Sequence, residues 1–232
     1  MDLSIKQLVK IYEVIGPSST VKVPVLASLS GIFSDERISV IKGPSGSGKT
    51  TLMNILLGLE PYQAGQIFFN NKLTQNISNI CKTQSGFHIG FIPQFPEDIL
   101  SFSMNVLENI FFSISMRNMK INKNIKDSVN DLLNYYQLDH LKNSPLNILS
   151  GGELQRVSQI VALIAKPKFL LLDEPTASVD LKNKNLFYNH LFDFISSNKA
   201  VAILVTHDDY IRRFKDISIH YLKNGVFYDN NN

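Results

Sequence analysis

The chain has 232 residues, of which 44% are apolar and 19% charged, a composition that supports a sizeable core and excludes disorder as a whole-chain description. Its 23 basic and 20 acidic side chains leave a formal charge of +3, too slight to imply nucleic acid as an obligatory partner. The single cysteine, Cys81, excludes an internal disulfide and a thiolate metal cluster, fits a reducing compartment and reads as a packing residue.

Ser4 to Tyr12 and Val21 to Phe33 mix β-branched and polar residues and predict antiparallel strands. Arg37 to Lys42 predicts a short apolar strand that ends in a glycine-rich turn, and Thr50 to Leu59 a helix. Gln66 to Phe69, followed by Asn70-Asn71, predicts half of a hairpin. From about Asn105 to Ala165 the pattern is helical, broken at Asn143-Ser144-Pro145. Phe169 to Leu172 and Val201 to Val205 are near-continuous apolar runs, as in strands buried on both faces of a parallel sheet. Ile217 to Tyr228 breaks at Asn224-Gly225 and predicts a closing hairpin. The expected fold class is α/β with a mostly helical insertion. The opening Met1-Asp2-Leu3-Ser4-Ile5-Lys6 does not read as a secretory leader, and no apolar run approaches the roughly 18 to 20 residues of a membrane span, so a membrane role is expected to fall to a partner chain.

Three segments carry chemistry. Gly43-Pro44-Ser45-Gly46-Ser47-Gly48-Lys49-Thr50 fits G-x-x-x-x-G-K-[ST], in which glycines let backbone N–H groups approach phosphate oxygens at the positive end of a helix. Lys49 is suited to the β- and γ-phosphates and the Thr50 hydroxyl to Mg²⁺. The apolar run Phe169 to Leu172 ends in Asp173-Glu174-Pro175, and carboxylates at such a strand end face the ligand crevice of an open α/β sheet. There Asp173 is suited to magnesium and Glu174 to polarising an attacking water. Between them, Ser150 and Glu153 form an S-x-x-E capping box that starts a helix. Gly151 and Gly152 in its first turn cost about 1 kcal/mol each against alanine, a cost that makes sense if an anion lies against bare N–H groups.

This ordered set resembles the nucleotide-binding subunit of an ATP-binding-cassette (ABC) transporter, from about Ser4 to Tyr228. Gly43 to Thr50 and the following Thr51 look like Walker A, Gln94 like the Q-loop glutamine, and Leu149 to Glu153 like the LSGG signature. Phe169 to Glu174 looks like Walker B with its catalytic glutamate, Ser178-Val179-Asp180 like the D-loop, His207 like the switch histidine, and Tyr12 like the aromatic that stacks on adenine. Two departures stand out: Asp35-Glu36 where the family usually has Gly-Glu, and Val161 where a second arginine usually follows the signature.

The resemblance implies a P-loop NTPase fold: an ABC ATPase core with a parallel sheet, an antiparallel β subdomain and a helical subdomain over approximately residues 95–165, all in one domain, 1–232. It implies ATP and Mg²⁺ as cofactors. It further implies a head-to-tail dimer in which Walker A of one chain and Ser150, Gly151 and Gly152 of the other enclose each ATP. Lys49 and the loop amides would stabilise charge, Thr50, Gln94 and Asp173 would hold magnesium, Glu174 would activate water and His207 would meet the γ-phosphate. The second cassette would be an identical or a similar chain, and the other partner an integral-membrane permease, with Phe95 to Phe102 as candidate docking lining or as packing for the helical insertion. The expected location is cytoplasmic, peripheral on the inner face of the cell membrane. The chain resembles the lipoprotein-release and macrolide-efflux branch most. The alternative is a soluble ABC ATPase acting on a non-membrane partner, although neither a second cassette on a charged linker nor a long coiled-coil insertion is present.

Overall fold

The computed structural model describes residues 1–16, 19–35, 37–84 and 86–228, so Glu36 of the Asp35-Glu36 turn lies outside the described residues. The chain opens with β1 (Asp2–Ile15), β2 (Thr20–Ser34), β3 (Ile38–Lys42), α1 (Lys49–Leu57), β4 (Ala64–Phe69), β5 (Lys72–Thr74) and α2 (Ile77–Thr83). Then follow β6 (Ile89–Ile92), α3 (Val106–Met116), α4 (Lys123–Tyr135), α5 (Gly151–Leu163), β7 (Phe169–Asp173) and α6 (Leu181–Asn198). The last elements are β8 (Val201–Val205), β9 (Ile217–Lys223) and β10 (Val226–Tyr228). Two compact units result, one from Met1–Phe87 with Val201–Asn232 and the other from His88–Ala200.

In the first unit, β1 pairs antiparallel with β2 on one side and β4 on the other. Leu3, Ile5 and Leu8 of β1 are buried with Leu26, Leu29 and Phe33 of β2; the pairing is irregular between Ile5 and Leu8, where Gln7 takes φ 51°, so the buried positions depart from simple alternation. The predicted hairpin after Phe69 closes onto β5, with Asn70 and Asn71 at φ 47° and 62°, the left-handed pair that a two-residue turn requires. Strand β3 is buried at all five positions and runs parallel to both β8 and β9. Strand β9 turns back at Asn224-Gly225 into β10, as expected. Helix α2 was not anticipated; Asn76 caps it by accepting from the Asn79 N–H at 2.9 Å, and Ile77 and Ile80 are buried.

In the second unit, β6 and β7 run parallel, with Ile92 opposite Leu172. The helical stretch expected from Asn105 to Ala165 resolves into α3, α4 and α5, and the predicted break at Asn143-Ser144-Pro145 leads into a short 3-10 turn, Leu146–Ile148. Both α3 and α5 start with complete capping boxes, Asn105/Glu108 and Ser150/Glu153. The insertion expected over 95–165 lies within this unit, which also contains β6, β7 and α6. Val161, at the unusual position after the signature, is buried in α5. Among the described residues no helix is long and apolar enough to cross a membrane.

Candidate functional site

The glycine-rich segment leaves the C-terminal end of β3 and passes directly into α1. Gly43 is there because nothing larger fits: a Cβ would stand 2.1 Å from the Leu222 carbonyl oxygen and 2.9 Å from Ser47 Oγ. Gly48 takes the left-handed conformation at φ 101° as the N-cap of α1, where no side chain caps the helix and no carboxylate occupies the first turn. Helix α1 thus differs from the boxed α3 and α5, and its positive end is left for an external anion. The Lys49 Nζ donates to the carbonyls of Gly43 and Pro44 at 2.8 and 2.9 Å, which holds the ammonium over the loop. Ser47 is almost wholly buried, yet its Oγ has no hydrogen-bond partner. A bound phosphate would supply the missing partner. Pro44, Ser45, Gly46 and Thr50 are exposed along the same loop.

Because β3 and β8 are parallel and adjacent, the loop that bears His207 emerges beside the phosphate loop: Ile41 lies opposite Val205, and the Thr206 N–H reaches the Ile41 carbonyl at 3.4 Å. His207 is exposed. Two residues on, Asp209 binds the Lys42 ammonium at 2.5 Å and Arg212 Nε at 2.9 Å, an ion-pair link between the His207 loop and the end of β3. The Lys42 hydrogen bond and charge hold the Asp209 carboxyl below its ordinary pKa. Tyr12, half-buried on β1, has its hydroxyl 3.4 Å from Thr51 Oγ1 in the first turn of α1; burial first, then a hydrogen bond with Glu60, raises its phenol pKa. The first unit thus brings together Tyr12, Gly43 to Thr51 and His207.

In the second unit, the parallel pairing of β6 with β7 brings Gln94 and the Asp173-Glu174 pair to the same end of adjacent strands. Glu174 has φ 44°, a left-handed conformation that a residue with a Cβ rarely adopts and that tends to persist at functional sites. Ser150 is engaged with Glu153: its N–H and hydroxyl both donate to Glu153 Oε2 at 2.7 Å, and its Oγ accepts from the Glu153 N–H at 3.4 Å. These bonds hold the Glu153 carboxyl below its ordinary pKa. The two glycines that follow have different reasons. A Cβ on Gly152 would meet the Ser178 carbonyl at 3.1 Å, an internal packing constraint that the sequence did not reveal, whereas one on Gly151 would make only an ordinary contact with Ser178 Cβ at 3.9 Å. Asp180 of the expected D-loop caps α6, accepting from the Asn183 N–H at 3.0 Å. Of the candidate docking segment, Pro96 and Leu100 are buried while Phe95 and Phe102 are exposed.

Sequence reasoning missed Lys10, Lys42 and Asp209. Their links join residues as much as 167 positions apart, a pairing that no local periodicity announces. Thr50 in the first unit carries a hydroxyl oxygen, and Gln94 and Asp173 in the second carry an amide and a carboxylate oxygen, donor types that suit a hard cation; among the described residues no cluster of three or more His, Cys, Asp or Glu forms a metal cage.

The model of the family described as ABC transporter matches residues 26–177. Among curated relatives, the lipoprotein-releasing system ATP-binding protein LolD of Acinetobacter baylyi is 35% identical over 215 residues, covering 91% of each chain. The zinc import ATP-binding protein ZnuC of Buchnera aphidicola is 33% identical over 79% of this chain and 68% of its own. Among solved structures, the dimeric post-hydrolysis state of the ATP-binding cassette MJ0796, bound to ADP and Pi, superposes with a TM-score of 0.83 at 27% identity, covering 98% of this chain and 97% of that one. Fold, phosphate loop and sequence thus agree: this chain belongs to the ABC transporter family and is one of its ATP-binding, ATP-hydrolysing cassettes.

Proposed function

We propose that this chain is the ATP-hydrolysing subunit of a transporter of the lipoprotein-release type, working as a head-to-tail dimer docked on an integral-membrane partner at the cytoplasmic face. The observation that carries the reading is the phosphate loop: an uncapped helix start, an ammonium folded over the loop carbonyls, and a buried Ser47 hydroxyl without a partner. Lys49 and the loop N–H groups hold the β- and γ-phosphates, and Tyr12 stacks on the base. Glu174 takes the proton of the attacking water, and His207 donates a hydrogen bond to a γ-phosphate oxygen. Ser150, Gly151 and Gly152 of the second copy complete the pocket by presenting a helix start to the same phosphate. Thr50, Gln94 and Asp173 fit Mg²⁺, which when bound neutralises phosphate charge. Phe95, next to Gln94 in the chain, and Phe102 are both exposed and are offered to the membrane partner.

The resemblance to LolD supports the lipoprotein-release type, since LolD relatives from several organisms match at 32–36% identity. The test is Glu174→Gln: the variant retains ATP and elutes from gel filtration as a dimer with ATP and magnesium. A variant that stays monomeric with ATP, with and without its membrane partner, refutes the dimer reading.

A further inference from the structure

Lys10 is a lysine almost without solvent contact: its side chain is 6% exposed. Lysine is rarely buried unless its charge is met, and here the ammonium has three neighbours. It donates to the Pro61 carbonyl at 2.8 Å, pairs with Glu60 Oε1 at 3.1 Å, and sits 4.6 Å from the centroid of the Tyr12 ring. Residues two apart on a strand face the same side, which is how β1 delivers Lys10 and Tyr12 to one surface. The ring is therefore held twice, by the ammonium over one face and by its hydroxyl against Thr51 in the first turn of α1. Tyr12 nevertheless keeps part of its surface accessible.

We propose that Lys10 is a positioning residue for base recognition: its ammonium fixes and polarises the Tyr12 ring, so that the adenine of ATP stacks on the opposite face. The proposal rests on the reading of Tyr12 as the base platform. A cation on one face draws π density toward itself and leaves the other face less negative, which favours an electron-rich purine. Holding the ring in place before the nucleotide arrives also removes an ordering cost from binding. Glu60 compensates the ammonium, so the buried charge stands without the nucleotide and acts through the ring rather than on the phosphates.

Separating base from phosphate tests this. Isothermal titration of the full chain with ATP and with inorganic tripolyphosphate, each with magnesium, is compared for the wild type, Lys10→Met, Lys10→Gln, Lys10→Arg and Tyr12→Ala. Lys10→Met weakens ATP binding about two- to fivefold, the value of one cation–π contact, and leaves tripolyphosphate affinity unchanged. Lys10→Arg, which keeps a cation over the ring, restores ATP affinity. Lys10→Gln keeps a donor to Pro61 without the charge and behaves as Lys10→Met, so the test survives if the methionine variant does not fold. Unchanged ATP affinity in both neutral variants overturns the proposal. So does an equal loss of ATP and tripolyphosphate, which would make Lys10 a support of the loop alone. Tyr12→Ala separates the two readings: if it loses ATP affinity while the neutral Lys10 variants do not, the platform stands and Lys10 has no part in it. If Tyr12→Ala leaves ATP binding intact, the platform itself is wrong.

Discussion

Ser47→Ala gives opposite signs in two measurements, and that opposition identifies what the hydroxyl is for. In the free protein the Ser47 Oγ is buried and unpartnered, and an unmet buried polar group costs about 1–3 kcal/mol. Alanine removes the group and leaves the backbone bond from the Ser47 N–H to the Pro44 carbonyl untouched. The nucleotide-free variant is therefore more stable by up to that amount, a rise in Tm of about 2–4 °C per kcal/mol for a chain of this size. With nucleotide the balance reverses, because the wild-type hydroxyl then donates to a charged phosphate oxygen, a bond worth about 1.5–3 kcal/mol. ATP affinity falls by about 10- to 150-fold. Denaturation without nucleotide and titration with ATP read the two halves separately. A variant that is less stable in the free state, or one that binds ATP as well as the wild type, refutes the assignment.

Gly43→Ala destabilises the free protein by about 1–3 kcal/mol, because the new methyl meets the backbone oxygen of Leu222, which cannot rotate away, and nucleotide binding is lost with the loop geometry; chemical denaturation and ATP titration check both. The Ser150/Glu153 box is sensitive to acid. Its bonds lower the Glu153 pKa in the folded state, so its stabilisation is fully present above the unfolded glutamate pKa and is lost as pH falls through the folded one. Wild type and Glu153→Gln therefore differ most in stability at neutral pH and converge on acidification. A constant difference from neutral pH down to pH 3 would count against this.

The parts of the fold set by local rules were legible in the sequence. The Asn70-Asn71 turn, the doubly buried β3 and β8 and the Ser150 cap each follow from a few neighbouring residues, and each is present. Helix α6 escaped because its first turn, Lys182-Asn183-Lys184-Asn185, reads as a polar loop, although Phe187, Tyr188, Leu191, Phe194 and Ile195 are buried at helical spacing. At the candidate site the loop residues were readable because their chemistry is local. Lys42 was not, since its partner Asp209 is brought near only by the pairing of β3 with β8. Gly152 was read as room for an anion, while its tight neighbour is Ser178 of the same chain.

The parallel pairing of β6 with β7 has a consequence for how such a machine diversifies. The spacing of Gln94 from Asp173 is set by hydrogen bonds between two strands, and not by the 78 residues between them. Outside the Ser150–Glu153 helix start, that intervening stretch can drift in sequence, and so be refitted to new clients, without altering the register that fixes Gln94 against Asp173. Relatives of nearly equal identity to this chain serve lipoprotein release and zinc import, which is what a fixed motor with an interchangeable coupling would leave behind.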